Sequence, residues 1–461
     1  MKDQNSTFVF LAGSCLTAAL GGCASDAEAA PKPKPAKPNF IIIMADDLGY
    51  GDISCYGNPT IRTPNLDRMA QEGIRLTNFH TNGAASTPTR ASLLTGRYQQ
   101  RAGLQGVLLT WVAADLHRGL AQEEITFAEV LKNYGGYATA LYGKWHLGTD
   151  NTYNPVHQGF DEFIGFKSGN VDYRNYYDTS GNADWWEGET LKASTTQGYL
   201  TELISAHSLD FVRRNKDRPF CLYVAHGCPH YPYQGPDDPG FRQPGVEQMH
   251  HAPREDRATA YKEMIEYMDR GIGQMLDLLA EEGLDRNTFV IFLSDNGPVE
   301  PGTTGGLRGE KGSFFEGGIR VPAILWMPGR VPANGTSDEL VLSMDLFPTM
   351  LDMAGIDYRN ADKPLDGTSF VPVIEGRSMP RRTIFWRQSN AKAVMQDGLK
   401  YIVTTDKEHV DTHYLFDLKK DPQEQTNLVD DYPDVVGRLQ GALKVWENDL
   451  WRERQRTLKK R

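Results

Sequence analysis

Two pairs of oxygen-bearing side chains, Asp46-Asp47 and Asp295-Asn296, each follow a short apolar run that reads as a β-strand. Together they offer only oxygen ligands, which suit a hard cation such as Ca2+ or Mg2+ and disfavour zinc. Mostly anionic donors, with room for about six or more oxygens, favour Ca2+. Two further apolar runs end in Gly143-Lys144-Trp145-His146 and in His226-Gly-Cys-Pro-His230. A lysine there neutralises an anion, and an imidazole moves protons near neutral pH. The stretch from His80 to Tyr98, H-T-N-G-A-A-S-T-P-T-R-A-S-L-L-T-G-R-Y, passes from turn residues into a helix with Ser86 or Thr87 at its cap and Pro88 in its first turn. Unpaired amides and the helix dipole favour an anion beside Ser86. Arg90, one helical turn on, adds a permanent fork-shaped charge.

Taken singly, Asp-Asp and Asp-Asn-Gly are turn formers, and a lone Lys or His is an ordinary surface residue. Their common placement at strand C-termini needs a shared cause. The elements that must position them alternate. Strands are expected at Phe40–Met44, Ile74–Phe79, Tyr137–Tyr142, Phe220–Ala225 and Thr288–Leu293. Helices are expected from Pro64 to about Gly73, from the capping box at Thr126 to Gly135, over Leu200–Arg214, and over Ala258–Glu282 with Met264, Met268, Met275 and Leu279 inward. This alternation predicts a doubly wound α/β domain, in which ligands bind beyond the carboxyl ends of the strands.

The spacing Ser86-x-Pro88-x-Arg90-x-x-x-x-Thr95-Gly96 resembles the maturation motif of the type I sulfatases, with Thr89 in place of the commoner Ser or Ala. The four strand-end segments match that family's metal and substrate motifs in order, and Gly305–Pro322 looks like another family segment. Tyr414–Leu418, Asp421-Pro422 and Asn427-Leu428 are similar to its C-terminal subdomain. The resemblance implies an alkaline phosphatase-like mixed sheet flanked by helices over 39–365, and a small antiparallel α+β subdomain over 366–461. It implies Ser86, Arg90, His146 and His230 as catalytic residues, Lys144 and Lys311 at the sulfate, and Asp46, Asp47, Asp295 and Asn296 around one Ca2+. It also implies that a sulfatase-maturating enzyme oxidises Ser86 to formylglycine. By analogy, one hydroxyl of the hydrated aldehyde attacks sulfur, His230 protonates the departing sugar oxygen, and His146 accepts the proton of the second hydroxyl.

The expected substrate is a sulfated saccharide, with the aromatic segments Asp172–Tyr177 and Asp184–Trp186 suited to stacking on sugar rings. Arg174, Arg308 and Arg320 are further candidates for contacts to anions or for structural ion pairs. Two alternatives stand beside this reading: a metal-dependent phosphohydrolase of the same superfamily, and a non-catalytic lipoprotein that binds sulfated glycans through an unmodified Ser86.

A net charge of −11 over 461 residues, with no long basic stripe, argues against nucleic-acid binding. The apolar run Phe8–Leu20 is too short to span a membrane and fits a signal peptide over 1–22. Leu20-Gly21-Gly22-Cys23 resembles a bacterial lipobox, and the Pro, Lys and Ala residues of 23–38 read as a semi-rigid tether. An exported lipoprotein, in the periplasm or at the cell surface, is therefore expected. Cys55, Cys221 and Cys228 show no zinc spacing and read as buried thiols, with a Cys221–Cys228 pairing left open.

Overall fold

The computed structural model describes residues 37–248 and 254–460. The expected signal peptide, the lipidated Cys23 and most of the tether lie outside the described residues. In chain order the first half holds β1 (Asn39–Ala45), α1 (Pro64–Gln71), β2 (Ile74–Leu76), β3 (Phe79–His80), α2 (Ser86–Thr95), α3 (Phe127–Val130), β4 (Ala138–Lys144), β5 (Glu162–Phe166), β6 (Trp186–Glu187), β7 (Thr190–Leu191), α4 (Leu200–Asn215) and β8 (Phe220–Ala225). Then come α5 (Arg257–Glu281), β9 (Thr288–Ser294), α6 (Glu316–Ile319), β10 (Ala323–Trp326), β11 (Gly335–Ser337), β12 (Val341–Leu342), α7 (Leu346–Ala354) and α8 (Val371–Ile374). The chain ends with β13 (Thr383–Arg387), β14 (Ala391–Gln396), β15 (Leu399–Thr405), β16 (Asp411–Asp417) and α9 (Pro433–Lys460).

A 10-stranded mixed sheet runs in the order β11-β2-β10-β9-β1-β8-β4-β5-β6-β7. Its centre, β9 to β5, is parallel, with antiparallel partners outside it. Side chains of β1 alternate between two cores, as the two-residue period of a strand requires. Phe40, Ile42 and Met44 face the side of α2, α3 and α7, while Ile41, Ile43 and Ala45 face α1, α4 and α5. Being apolar on both faces, β1 reads as an unbroken run. On α5, Met264, Met268, Met275 and Leu279 are buried as expected. The chain enters this sheet beside the strand starts: Lys37 Nζ donates to the Gly135 carbonyl at 2.7 Å, and Tyr137 Oη donates to that of Pro38 at 2.9 Å.

The structure departs from expectation locally. The extended stretch 74–79 divides between two sheets, because β2 pairs with β10 and β11 whereas β3 pairs with β12. The helix opened by the Thr126 capping box widens in its last turn, with Gly136 in a left-handed conformation at its end. Cys55, Cys221 and Cys228 are free thiols, so Cys221 and Cys228 are not paired. No helix among the described residues is long and apolar enough to cross a membrane.

The C-terminal region is an antiparallel sheet ordered β13-β14-β15-β16, packed on α9. Its core is continuous with Ala84, Tyr98, Phe314 and Ile319 of the larger region. Trp446 of α9 stacks on Phe385, with ring centroids 4.9 Å apart, and meets Tyr98 edge-on at 5.0 Å. The end of the Ser86 helix and the C-terminal helix are thereby packed together.

Candidate active site

Parallel strands deliver their last residues to one edge of a sheet, and here that edge carries the polar groups singled out above. Asp46 and Asp47 follow β1, Asp295 and Asn296 follow β9, Lys144 closes β4, and His230 lies just beyond β8. Ser86 and Arg90 come from α2, and Lys311 from the glycine-rich loop before α6.

Ser86 is the first residue of its helix and Ala85 is the cap, contrary to the expected Ser or Thr cap. The reason is that the hydroxyl is engaged elsewhere. Ser86 Oγ donates to Asp46 Oδ1 at 3.1 Å and accepts from Lys144 Nζ at 3.0 Å. Lys144 Nζ also reaches Asp46 Oδ2 at 2.6 Å. Arg90 donates from Nε and Nη2 to Asp295 Oδ2 at 3.1 and 2.9 Å, and from Nη1 to the Lys144 carbonyl at 3.1 Å. Asp47 accepts from Lys311 Nζ at 2.7 Å and from Asn296 Nδ2 at 2.7 Å. Ser86, Arg90, Lys144, His146, His230, Asp46, Asp47, Asp295, Asn296 and Lys311 thus meet in one place. Asp46, Asp295, Arg90 and Lys144 have no exposed side-chain surface, whereas Lys311 retains 20%.

Burial dominates the electrostatics. It pushes the Asp46 carboxyl up to about 8, and Lys144 offsets this only in part. At Asp47 burial acts in the same sense, but Lys311 and His230 outweigh it and hold the carboxyl low. Asp295 is likewise held low against burial, by Arg90 and Lys144. Burial draws Lys144 down against the pull of Asp46. It also draws His230 down to about 3 and His146 well below the ordinary imidazole range, so both rings are neutral near pH 7.

The donor set fits a hard cation. Asn296 Oδ1 is buried without a hydrogen-bond partner, and ligand atoms of Asp46, Asp47 and His230 lie within 4.8 Å of one another. Asp295 lies beside them, its Oδ1 accepting the Asp47 amide at 3.2 Å, so oxygens outnumber the one imidazole nitrogen, as a hard divalent cation prefers. Burial, and to a lesser degree the charges of Asp295 and Asp47, disfavour the ionised Asp46, and a cation held there would offset both.

Both imidazoles are held by backbone carbonyls, and a carbonyl only accepts. His146 therefore carries its proton on Nε2, 2.9 Å from the Leu108 carbonyl, and Nδ1 is a buried lone pair without a partner. His230 carries its proton on Nδ1, 2.7 Å from the Tyr231 carbonyl, and turns Nε2 towards Asp47 Oδ2 at 3.5 Å. Asp47 and His146 adopt left-handed backbone conformations, with φ of 61° and 58°. Such conformations are uncommon outside glycine and concentrate at functional sites. Gly169 leaves space for His146, since a Cβ there would fall 2.9 Å from the ring.

Some expected substrate contacts are structural instead. Tyr173, Tyr176 and Trp185 are fully buried in the core beside α4, which rules them out as sugar-stacking platforms. Arg308 lies over the Phe315, Tyr414 and Phe416 rings, Arg174 over Tyr199, and Arg320 donates to the Thr77 carbonyl. Sequence reasoning missed Leu108, Lys167 and Ser168, which line a small cavity with His146. Lys167-Ser168 follows the end of β5, so the strand-end rule applied to that strand would have found the pair.

Comparison with known proteins places this arrangement in context. Residues 38–356 match the family model described as sulfatase, and residues 309–448 match that described as N-sulphoglucosamine sulphohydrolase, C-terminal. The chain is 31% identical over 475 residues to N-acetylgalactosamine-6-sulfatase of Canis lupus familiaris, covering 92% of this chain and 88% of that one. It is 33% identical over 464 residues to arylsulfatase A of Homo sapiens, covering 88% and 86%. The crystal structure of Ps i-CgsB in complex with k-i-k-neocarrahexaose matches with a TM-score of 0.78 at 28% identity, covering 89% of this chain and 92% of that one.

Proposed function

The chain belongs to the sulfatase family and hydrolyses sulfate esters, and from that premise we propose that it acts on sulfated polysaccharides or their oligosaccharides, with formylglycine at position 86 and one Ca2+. The observation that carries this reading is the Ser86 hydroxyl held between Asp46 and Lys144 inside a carboxylate cluster. The saccharide assignment draws on relatives: one is named for a 6-sulfated amino sugar, and another is solved with a neocarrahexaose.

Asp46, Asp47, Asp295 and Asn296 would hold the cation, which supplies Lewis-acid polarisation of ester and nucleophile oxygens. Formylglycine supplies a hydrated aldehyde, with one hydroxyl to attack sulfur and a second that allows sulfate to be expelled. The side chains present define the rest. Lys144 and Arg90 fix positive charge around residue 86, and Lys311 brings a further charge from the exposed side, where an anionic ester arrives. His230 Nε2 is the proton site for the leaving oxygen, because its other nitrogen is tied to the Tyr231 carbonyl. An anionic ester beside the ring favours the imidazolium that burial disfavours. His146 Nδ1 is the matching acceptor, since its Nε2 proton is tied to Leu108.

Sulfate release from carrageenan, chondroitin, heparan, fucan and ulvan oligosaccharides, set beside aryl sulfates, tests the substrate class. Turnover of at least one saccharide is expected. Turnover of aryl or alkyl sulfates alone would overturn the class, and no turnover with Ser86 unmodified would favour a glycan-binding role. The proposed partner is a sulfatase-maturating enzyme acting on Ser86. The proposed location is outside the cytoplasm, through a lipid on Cys23 and the 23–38 tether.

A general acid matters most when the leaving group is poor. His230→Ala is therefore expected to lose about 10^2- to 10^4-fold on a sulfated sugar and much less on nitrophenyl sulfate. Equal losses on both would assign His230 to sulfate binding rather than proton donation.

A further inference from the structure

A buried cluster of charges that takes no part in the chemistry lies behind the segment carrying Lys311. Glu316, which opens α6, receives Lys400 Nζ at 2.7 Å and His80 Nε2 at 3.0 Å. Lys400 also pairs with Glu424 Oε1 at 3.0 Å, and Glu424 Oε2 accepts the Glu316 amide at 2.7 Å. All four side chains are fully buried. They come from β3, α6, β15 and the turn after β16, so only the finished fold brings them together.

Stability alone is a poor account of this cluster, because apolar residues of the same volume commonly serve a core as well as buried ion pairs do. Glu424 also has a left-handed backbone, with φ of 58°, which an ordinary loop would give to glycine. What the cluster does hold is α6 and the loop ahead of it. On its other side that loop is bonded to the site: the Lys311 amide donates to the Pro298 carbonyl at 3.0 Å and the Gly312 amide to the Ala84 carbonyl at 2.8 Å. Pro298 lies two residues beyond Asn296, and Ala84 two before Ser86. At the start of the loop, Arg308 Nη1 donates to the Glu424 carbonyl at 3.0 Å.

We propose that Lys400 and Glu424 are positioning residues for Lys311: gripping Glu316, they fix the segment that delivers Lys311 Nζ to Asp47. The C-terminal sheet is then part of the sulfate-binding apparatus without touching the ester. This rests on the reading of Lys311 as a sulfate-binding residue.

The test is a double-mutant cycle between Lys400→Met and Lys311→Ala, in kcat/KM and in inhibition by inorganic sulfate, measured well below each variant's Tm. Lys400→Met is expected to lower kcat/KM by about 10- to 100-fold, as losses of outer-shell partners do, and to weaken sulfate inhibition. In the Lys311→Ala background the same change should have little further effect, because its route is already gone. Equal losses in both backgrounds, or a lower Tm with unchanged kcat/KM, would overturn the inference. So would a full Lys400→Met effect where Lys311→Ala has none. If Lys400→Met does not fold, Lys400→Met/Glu316→Gln removes opposite charges together and enters the same cycle. Failure of the parent enzyme to release sulfate from any ester would instead count against the functional reading.

Discussion

Ser86→Ala is expected to fold as the parent does and to lose sulfatase activity by about 10^5-fold or more, the scale seen when a covalent nucleophile is removed. The change deletes one oxygen from a buried position and leaves the helix intact. Alanine is a better helix former than serine, and the lost hydrogen bonds to Asp46 and Lys144 cost about 1 kcal/mol each. Asp46 and Lys144 still pair directly at 2.6 Å, so no charge is stranded. In active protein the peptide containing residue 86 should be lighter than its serine form by roughly 2 Da, because oxidation of CH2OH to CHO removes two hydrogens. Full activity with an unmodified serine at 86 would sink the formylglycine assignment.

Asp47→Asn is expected to lower turnover by about 10^3-fold, since it weakens cation retention and frees Lys311 in one step. Asp47 accepts from both Lys311 and Asn296, and an amide of the same shape keeps the volume but not the charge. Metal content after gel filtration should fall, as should the rise in Tm that Ca2+ gives the chelated parent through binding to the folded state. Chelated parent enzyme should recover with Ca2+. Recovery only with zinc, or an Asp47→Asn variant that keeps full metal and activity, would exclude the proposed centre.

The parallel centre of the sheet was legible because strands buried on both faces leave continuous apolar runs, as in Phe40–Met44 and Thr288–Leu293, and because polar residues beyond their ends break the pattern. The edges were not legible. β2 has 3 residues, and its partners β10 and β11 lie far along the chain, so no local period announces the pairing. The cap of α2 was misread because Ser86 has ideal capping chemistry, and only the approach of Asp46 and Lys144 shows where its hydroxyl goes. Within the expected aromatic segments Tyr177 and Trp186 keep partial exposure, and the buried Tyr173, Tyr176 and Trp185 could not be told from them for a related reason. Their irregular backbone gives no periodicity by which to separate a core-filling ring from an exposed one. The link from Lys400 to Glu316 spans 84 residues and appears only once the two regions have folded together.

The direction of β1 separates the point where the described chain enters the sheet from the site at its other end. That strand starts next to Lys37, which is tied to the backbone ahead of β4, and runs 7 residues to Ala45, just before Asp46, a rise of about 20 Å. Lys37 therefore lies at the floor of the sheet, while the edge that gathers Asp46, Lys144 and Ser86 is its roof. A sulfate ester bound at that edge therefore sits one strand length, roughly 20 Å, from the point where the described chain enters the sheet.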